Sequence, residues 1–367
     1  MPAGIGRTIL TTVINIVVVL VIVSVIISAI FVTQADMYLR GLAQEMYQAK
    51  VKALEPRLRG LSAEEREEIL QRINESIWRD LGLLRPLHER VMIYAVNAMT
   101  CRFENFTAKK IYPGSYRNAK DVVFNALRAT IILFTTATII ELSIAIFLGL
   151  QAAKRAGSLF DRTISGLALV SASLPMWWVG LLMLLVFSYW LGWFPFASKD
   201  VYIELAALNR MDIDPIQRFF MSIPIWLKYL ALPLITVVLV SFGGGSYIVR
   251  NIVVGTIRED FVMVARAKGL PERSVLYKHV LRAASPPIVT MSALSLVGSL
   301  GGAIITETVF QWPGMGLTYW IAINNGDVGV LMANTYLVVF LFIVVIFTLD
   351  FIYMMLDPRV RVKGRKG

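Results

Sequence analysis

Charged residues are scarce in this sequence. They make up 17% of its 367 residues, and apolar residues make up 57%, whereas a soluble domain averages about 25% charged and about 45–50% apolar residues. A water-soluble fold of this length cannot cover so large an apolar fraction. The composition therefore excludes an ordinary soluble enzyme and a disordered chain, and it indicates a protein of the lipid bilayer.

Residues that hold metals and cofactors are also rare. Cys101 is the only cysteine, and His88 and His279 are far apart in the sequence, which excludes a disulfide framework and a cysteine-based metal site. The sequence has no Gly-x-x-x-x-Gly-Lys-Ser/Thr loop for nucleotide phosphates, and neither a His-Glu-x-x-His nor a Gly-x-Ser-x-Gly motif. We therefore expect no catalytic residue, metal or cofactor in this chain.

Long apolar runs are abundant. A helix needs about 20 apolar residues to cross about 30 Å of hydrocarbon. Six segments meet this requirement: 8–35, 129–153, 163–198, 229–249, 283–306 and 328–349. The first has no clear cleavage site and is too long for the core of a signal peptide, so we interpret it as a retained anchor. The sequence predicts an all-α polytopic membrane protein with six transmembrane helices.

The basic residues lie in alternate loops, and they account for most of the net charge of +11. Loops 154–162 and 250–282 and the C-terminal tail are basic, whereas loop 310–327 has no Lys or Arg. This pattern predicts both termini in the cytoplasm of a cell-membrane protein, and it explains the charge without a nucleic-acid partner. The predicted parts are the N-terminus with the first span (1–35), an extracytoplasmic helical insertion (36–120), a five-span core (121–357) and a basic cytoplasmic tail (358–367).

The insertion is polar and shows helical periodicity. Ser62 and Glu65 form a capping-box pattern, and Ile69, Ile73 and Ile77 recur every four residues. Two interpretations remain open: a helical cap on the outer ends of the spans, and part of a docking surface for a soluble partner.

The longest cytoplasmic loop, 250–286, predicts two short helices around a Gly-Leu-Pro turn. Gly269 suits a left-handed C-cap, and Pro271 suits the first position of the second helix. A rigid helix-turn-helix at the membrane exit has the right shape to insert into a groove on a cytoplasmic partner.

This loop resembles the coupling motif of ABC-importer permeases. The general pattern is Glu-Ala-Ala, three residues, Gly, nine residues and Ile-x-Leu-Pro, and Ala265, Gly269 and Leu281 match it. The run 265–270 is similar to the dipeptide/oligopeptide branch of the family. Further segments that resemble this branch are 81–87, 173–180, 191–195, 307–316 and 356–361. The resemblance covers the whole chain except about 36–80.

The resemblance implies a permease of the type I importer class, without an ATPase site of its own. Its partners would be a second, homologous permease, two ATPase subunits that hold ATP and Mg²⁺, an extracytoplasmic substrate-binding protein and membrane lipids. The residues expected to couple to the ATPases are Ala265, Arg266, Ala267, Lys268, Gly269, Leu270, Pro271, Glu272, Arg273 and Leu281. Short peptides are the expected cargo, with oligosaccharides such as cellobiose second and nickel third.

Several residues in or near the spans are candidates for the translocation pathway or a gate. They are Glu141, Pro175, Trp178, Gly244, Glu307 and Trp312. The alternative for each is structural: a hydrogen-bonded brace for a buried carboxylate, close helix packing for glycine, and an interfacial anchor for tryptophan. A membrane-embedded enzyme would need paired acid–base or metal-binding groups, and an ion channel would need a filter-like repeat or a ring of charges. The sequence shows neither pattern.

Overall fold

The computed structural model describes residues 3–58, 61–102, 111–113 and 118–356, and in these ranges the chain is helical without a β-strand. The predicted basic tail, 358–367, lies outside them. The longer helices are α1 (Ala3–Leu58), α2 (Ala63–Asp80), α3 (Leu87–Met99), α4 (Ala119–Thr130), α5 (Thr136–Lys154), α6 (Leu159–Ser173), α9 (Pro215–Ile257), α12 (Leu281–Leu300) and α15 (Val328–Leu356). The shorter ones are α7 (Met176–Met183), α8 (Val201–Asn209), α10 (Asp260–Ala267), α11 (Glu272–Ser274), α13 (Ile304–Phe310) and α14 (Met315–Asn324).

The structure has five or six of the predicted spans, depending on how the third one is counted. Five helical segments are long and apolar enough to cross a membrane by themselves, and Leu159–Ser173 with Met176–Trp190, which bend by 91° at their break, make a sixth if the bent pair is one span. Pro175 is the residue before α7, where it cannot donate a backbone hydrogen bond. The bend between α6 and α7 therefore lies at this proline.

The helices extend beyond the uncharged segments that predicted them. α1 continues through the predicted boundary at residue 36 to Leu58, which makes it about 84 Å long at about 1.5 Å per residue. α9 has 43 residues, about twice the number that a single crossing needs. The first span and the start of the predicted insertion are thus one continuous helix.

The chain divides into two compact units, of which the first contains residues 1–123 and 319–340. Its core is formed by Leu39, Ala43, Ile77, Leu83, Val328 and Met332. The predicted capping box at the start of α2 is confirmed, since Glu65 N donates to Ser62 Oγ and Ser62 N donates to the Glu65 carboxylate. Ile77 is fully buried, as the predicted apolar stripe requires.

Among the described residues, the second unit contains 124–318 and 341–356. Its helices α5, α6 and α9 approach closely at small residues. A Cβ added to Gly149 would lie 2.7 Å from the carbonyl oxygen of Ser246. A Cβ added to Gly243 would collide with Ser171 and lie 2.8 Å from the backbone of Ala168. Glycine is therefore required for this spacing of the helix backbones.

Candidate functional site

The loop between the fourth and fifth spans forms a helical hairpin, which comprises residues 260–280 and is called here the hairpin. Its first arm, α10, ends in a Schellman motif: Gly269 N donates to Arg266 O at 2.9 Å, and Leu270 N donates to Ala265 O at 3.4 Å. Gly269 has φ of +75°. The predicted left-handed C-cap at Gly269 is thereby confirmed.

An ion pair joins the two arms of the hairpin across this turn. The Arg266 guanidinium donates from Nε to Glu272 Oε2 at 3.1 Å and from Nη2 to Oε1 at 2.7 Å. Both side chains are about half exposed, so the pair contributes about 1 kcal/mol or less to stability. Its bidentate geometry fixes the relative orientation of the arms.

The second arm differs from the prediction in two ways. Pro271 was predicted to be the first helical residue, but it is the N-cap of α11, which begins one residue later at Glu272. The arm is not a separate helix, because the segment Glu272–Leu300 is continuous and includes a π-helical stretch over Val275–Val280. The second arm is therefore the beginning of the helix that forms the fifth predicted span.

One face of the hairpin is anchored by apolar packing. This core joins the ends of α5 and α9 to both arms, and its buried members are Leu150, Ala153, Val249, Val253, Val262, Ala265, Val275, Leu276, Val280, Ala284 and Ile288. Of the predicted coupling residues, Ala265 is thus buried in the anchor and Leu281 packs against it. The hairpin is a rigid extension of the bundle and not a loose loop.

The opposite face of the hairpin is exposed. Arg266, Ala267, Lys268, Gly269, Leu270, Pro271, Glu272 and Arg273 all lie on it. Large apolar side chains beside them are also exposed, among them Met263 at 65% and Val264 at 52%. Phe261 and Tyr277 are exposed to a similar degree. The structure thus brings eight of the ten predicted coupling residues to one surface that carries unpartnered apolar groups.

A buried ion pair supports the base of the hairpin. Arg250 of α9 donates from Nε to Asp161 Oδ1 at 2.8 Å and from Nη2 to Oδ2 at 2.7 Å. Asp161 also accepts from the backbone N–H of Gly157 at 2.9 Å, and its side chain is 4% exposed. Val249 and Val253 of the hairpin anchor lie on either side of Arg250 in the sequence. The pair ties the start of α6 to the part of α9 that carries the hairpin.

Glu307 lies at the centre of the turn after the fifth span. Its side chain has no exposed surface, and its carboxylate accepts from Thr130 Oγ1 at 2.9 Å and from Leu317 N at 2.9 Å. A Cβ at Gly302 or Gly314 would lie 2.6 Å from this carboxylate. Burial raises the pKa of Glu307 to about 7, although hydrogen bonds from Leu317 and Thr130 oppose the shift.

Trp312 and Thr130 complete this cluster. The Trp312 indole N–H donates to the carbonyl of Ala129 at 2.9 Å, and its side chain is fully buried. Thr130 Oγ1 accepts from Met315 N at 2.8 Å while it donates to Glu307. In this conformation Glu307 and Trp312 are internal supports of the turn without exposed surface, and their role in a pathway or gate stays a prediction.

The other predicted pathway residues lie apart from this cluster. Glu141 is half-buried against α9, where a Cβ at Gly245 would collide with its carboxylate. Pro175 and Trp178 are exposed at the bend of the third span. A Cβ at Gly244 would meet open space. The structure thus does not bring the six candidates together into one site.

The sequence did not reveal Thr130 as a hydrogen-bond partner of a buried carboxylate, or Asp161 and Arg250 as an ion pair. Arg250 was counted only as a loop charge, and the pair it forms spans 89 positions. Two local features could have drawn attention to these residues. Asp161 lies just before the third uncharged segment, and Thr130 lies at the start of the second uncharged segment. Among the described residues, no group of three His, Cys, Asp or Glu side chains forms a metal site.

These features define a polytopic helical membrane protein with a helical hairpin that extends from its bundle. Residues 145–362 match the family described as binding-protein-dependent transport system inner membrane component, and the chain belongs to this family. It is a multi-pass membrane permease of the ABC-transporter class.

Curated relatives agree with this family. The chain is 31% identical to the di/tripeptide transport system permease protein DppB of Pseudomonas aeruginosa over 288 residues, which cover 77% of this chain and 83% of that protein. It is 28% identical to the oligopeptide transport system permease protein AppB of Bacillus subtilis, over 80% of this chain and 86% of that protein. It is also 28% identical to the dipeptide transport system permease protein DppB of Escherichia coli, over 83% and 88%.

Proposed function

We propose that this chain is one of two permease subunits of an ATP-driven importer for di- and oligopeptides. In this proposal the hairpin receives the movement of separate ATPase subunits on the cytoplasmic side. A substrate-binding protein delivers the peptide on the opposite side, and a second, similar permease completes the pathway.

The observation that carries the proposal is the two-sided character of the hairpin. One face is buried in an apolar core with the ends of α5, α9 and α12, whereas the other exposes Phe261, Met263 and Val264 to solvent. Exposed apolar groups on a rigid support are typical of a protein–protein contact.

The way in which the hairpin is connected to the spans supports a role in transmitting movement to them. α10 follows α9 after a break of two residues, and the second arm is continuous with α12. Because both arms are joined to spans and to each other by the Arg266–Glu272 pair, a push on the hairpin displaces two spans together. Coupling to hydrolysis needs such a movement between two states of the permease.

The charge pattern supports the orientation. The hairpin carries Arg266, Lys268, Arg273 and Lys278, while loop 310–327 has no Lys or Arg. The positive-inside rule assigns the hairpin to the cytoplasm, where ATP is available to partner subunits.

Peptide cargo is proposed from the relatives. The similar proteins of Pseudomonas aeruginosa, Bacillus subtilis and Escherichia coli are named as di/tripeptide, oligopeptide and dipeptide permeases. An uptake assay with a labelled tripeptide, a cello-oligosaccharide and Ni²⁺ as separate substrates tests this assignment. Uptake of the sugar or the metal without the tripeptide would refute it.

The coupling role is tested by placing a charge on the exposed face. In vesicles that contain the complete transporter, Val264→Asp should uncouple the two activities, so that uptake is abolished while ATP hydrolysis continues. The reason is that a carboxylate cannot be buried in an apolar contact. The control is Leu159→Asp, which charges an exposed residue (81%) within another predicted cytoplasmic loop, 154–162. Equal uptake by Val264→Asp and the wild type would contradict the coupling role.

A further inference from the structure

The first unit contains a cavity with an excess of positive charge. It has a volume of about 240 Å³ and lies between the turn after α2 and one face of α3. The residues around it are Arg79, Asp80, Leu81, Gly82, Arg85, Arg90, Ile93, Tyr94 and Asn97. Gly82 and Arg85 belong to segment 81–87, to which the proposed transport function gives no role.

The arginines of the cavity differ in their pairing. Arg90 is 6% exposed in its side chain and donates to Asp36, which also accepts from Arg40. Within the described part of the chain, Arg79 and Arg85 take part in none of the ion pairs. The lining of the cavity therefore carries three arginines, Arg79, Arg85 and Arg90, against one carboxylate, that of Asp80.

The pairing of α3 with α1 indicates the level of the cavity in the membrane. Residues 8–35 are uncharged, and at about 1.5 Å per residue they extend about 42 Å, close to the thickness of a bilayer with its headgroups. Asp36 follows this run directly, so its partner Arg90 lies at the level of the lipid headgroups. The cavity is thus at the depth where phosphate groups are found.

α3 runs from this level back along the apolar part of α1. Arg90 pairs with Asp36, and Ala98, eight residues later on α3, packs against Ile27, nine residues earlier on α1. The far end of α3 is therefore about 13 Å deeper than Arg90. His88 and Glu89 are exposed in the first turn of α3, and after this turn its exposed side chains are apolar, with Met92 at 54% and Val96 at 55%, as expected for a helix beside acyl chains.

We propose that this cavity binds the phosphate of an anionic phospholipid. Arg79 and Arg85 would hold the phosphate through charge-assisted hydrogen bonds, for which the planar guanidinium is well suited. The acyl chains would pass the cavity-lining Ile93 to reach Met92 and Val96, the exposed apolar face of α3, which lies on a different side of the helix from Tyr94 and Asn97. A free phosphate ion has the same headgroup chemistry, but it gains nothing from this apolar face.

Native mass spectrometry of the full-length chain, titrated with phosphatidylglycerol, tests the proposal. The double variant Arg79→Gln/Arg85→Gln should weaken phosphatidylglycerol binding by about tenfold or more, because it removes two charged donors. The matched control is Arg72→Gln, on the same helix as Arg79 but paired with Glu68 and 75% exposed, and it should bind like the wild type. Both arginines of the double variant are exposed, so its melting temperature should remain that of the wild type.

Two further probes distinguish the sources of the anion. Phosphatidylcholine should bind more weakly than phosphatidylglycerol, and inorganic phosphate at the same concentration should not displace the lipid. Unchanged lipid binding by the double variant would overturn the proposal, and so would displacement by inorganic phosphate. Loss of binding-protein docking by the double variant in phosphatidylglycerol-free vesicles would also overturn it, because the arginines would then recognise a protein.

Discussion

Asp161 and Arg250 join two helices through two parallel hydrogen bonds of 2.8 and 2.7 Å, although they are 89 residues apart in the sequence. The carboxylate is nearly buried, and the guanidinium is about one-fifth exposed. Removal of one partner leaves the other charge without compensation in a poorly solvated site. This pair therefore fixes the start of α6 against the part of α9 that bears the hairpin.

Asp161→Ala should lower the free energy of unfolding by about 1–3 kcal/mol, between the values for exposed and fully buried pairs, because Arg250 is about one-fifth exposed. The double variant Asp161→Leu/Arg250→Met should lose less, because neither charge remains. The control is Lys228→Ala, which breaks the exposed pair with Glu204 and should cost about 1 kcal/mol or less. Thermal unfolding in detergent measures all three, and equal losses in Asp161→Ala and Lys228→Ala would contradict the assignment.

The buried carboxylate of Glu307 predicts a pH dependence of stability. Because burial raises its pKa from 4.5 to about 7 in the folded state, the folded chain binds more protons than the unfolded chain between these values. Stability should therefore fall as pH rises from about 4.5 to about 7. Melting temperatures at pH 5 and pH 8 measure the effect, and Glu307→Gln should remove most of this slope.

Glu204 provides the control for this pH dependence. A hydrogen bond from Lys228 holds the pKa of Glu204 below its usual value, so its contribution to stability is lost as pH falls below that value. Glu204→Gln should therefore leave the difference between pH 5 and pH 8 unchanged. If Glu307→Gln also leaves it unchanged, Glu307 does not titrate in this range.

Alanine should have opposite effects at two helical glycines, one inside the close packing around Glu307 and one outside it. Gly316→Ala should destabilise the fold, because a Cβ there would lie 2.7 Å from the backbone nitrogen of Ile304 and 2.8 Å from the carbonyl carbon of Ala303. Gly298→Ala meets open space within α12, and it should stabilise that helix by about 0.5–1 kcal/mol. Chemical denaturation compares them, and a neutral Gly316→Ala would contradict the close packing.

The sequence predicted the spans and the hairpin turn because their signals are local. A run of uncharged residues identifies a span, and Gly269 after an amphipathic segment identifies a helix end. The continuation of α1 past residue 36 was missed, because Asp36 and Arg40 ended the apolar run without ending the helix. Hydropathy reports the membrane boundary and not the helix boundary.

The partners of buried polar residues could not be predicted from the sequence in the same way. Thr130 and Glu307 are 177 positions apart, and only the packing of the turn that follows the fifth span brings them together. Glu141 was recognised as costly within a span, but its neighbour Gly245 depends on the register of α5 against α9. Periodicity specifies which face of a helix is apolar, and it does not specify which helix covers that face.

Gly269→Val should uncouple ATP hydrolysis from uptake while the protein still inserts into the membrane. The residue has φ of +75°, a conformation that costs a β-branched residue about 1–2 kcal/mol or more. The strain would distort the turn that orients the two arms of the hairpin. Gly269→Asn, which tolerates this conformation better, should retain most uptake, and normal uptake by Gly269→Val would contradict the need for this turn.

Cross-linking of the hairpin in membranes tests the coupling role most directly. In a Cys101→Ser background, Met263→Cys should form a cross-link to an ATPase subunit of the assembled transporter, because this exposed residue lies on the proposed contact face. Met37→Cys, which is 79% exposed and is assigned to the opposite side, should form none. A cross-link to the ATPase from Met37→Cys and none from Met263→Cys would contradict both the orientation and the coupling role.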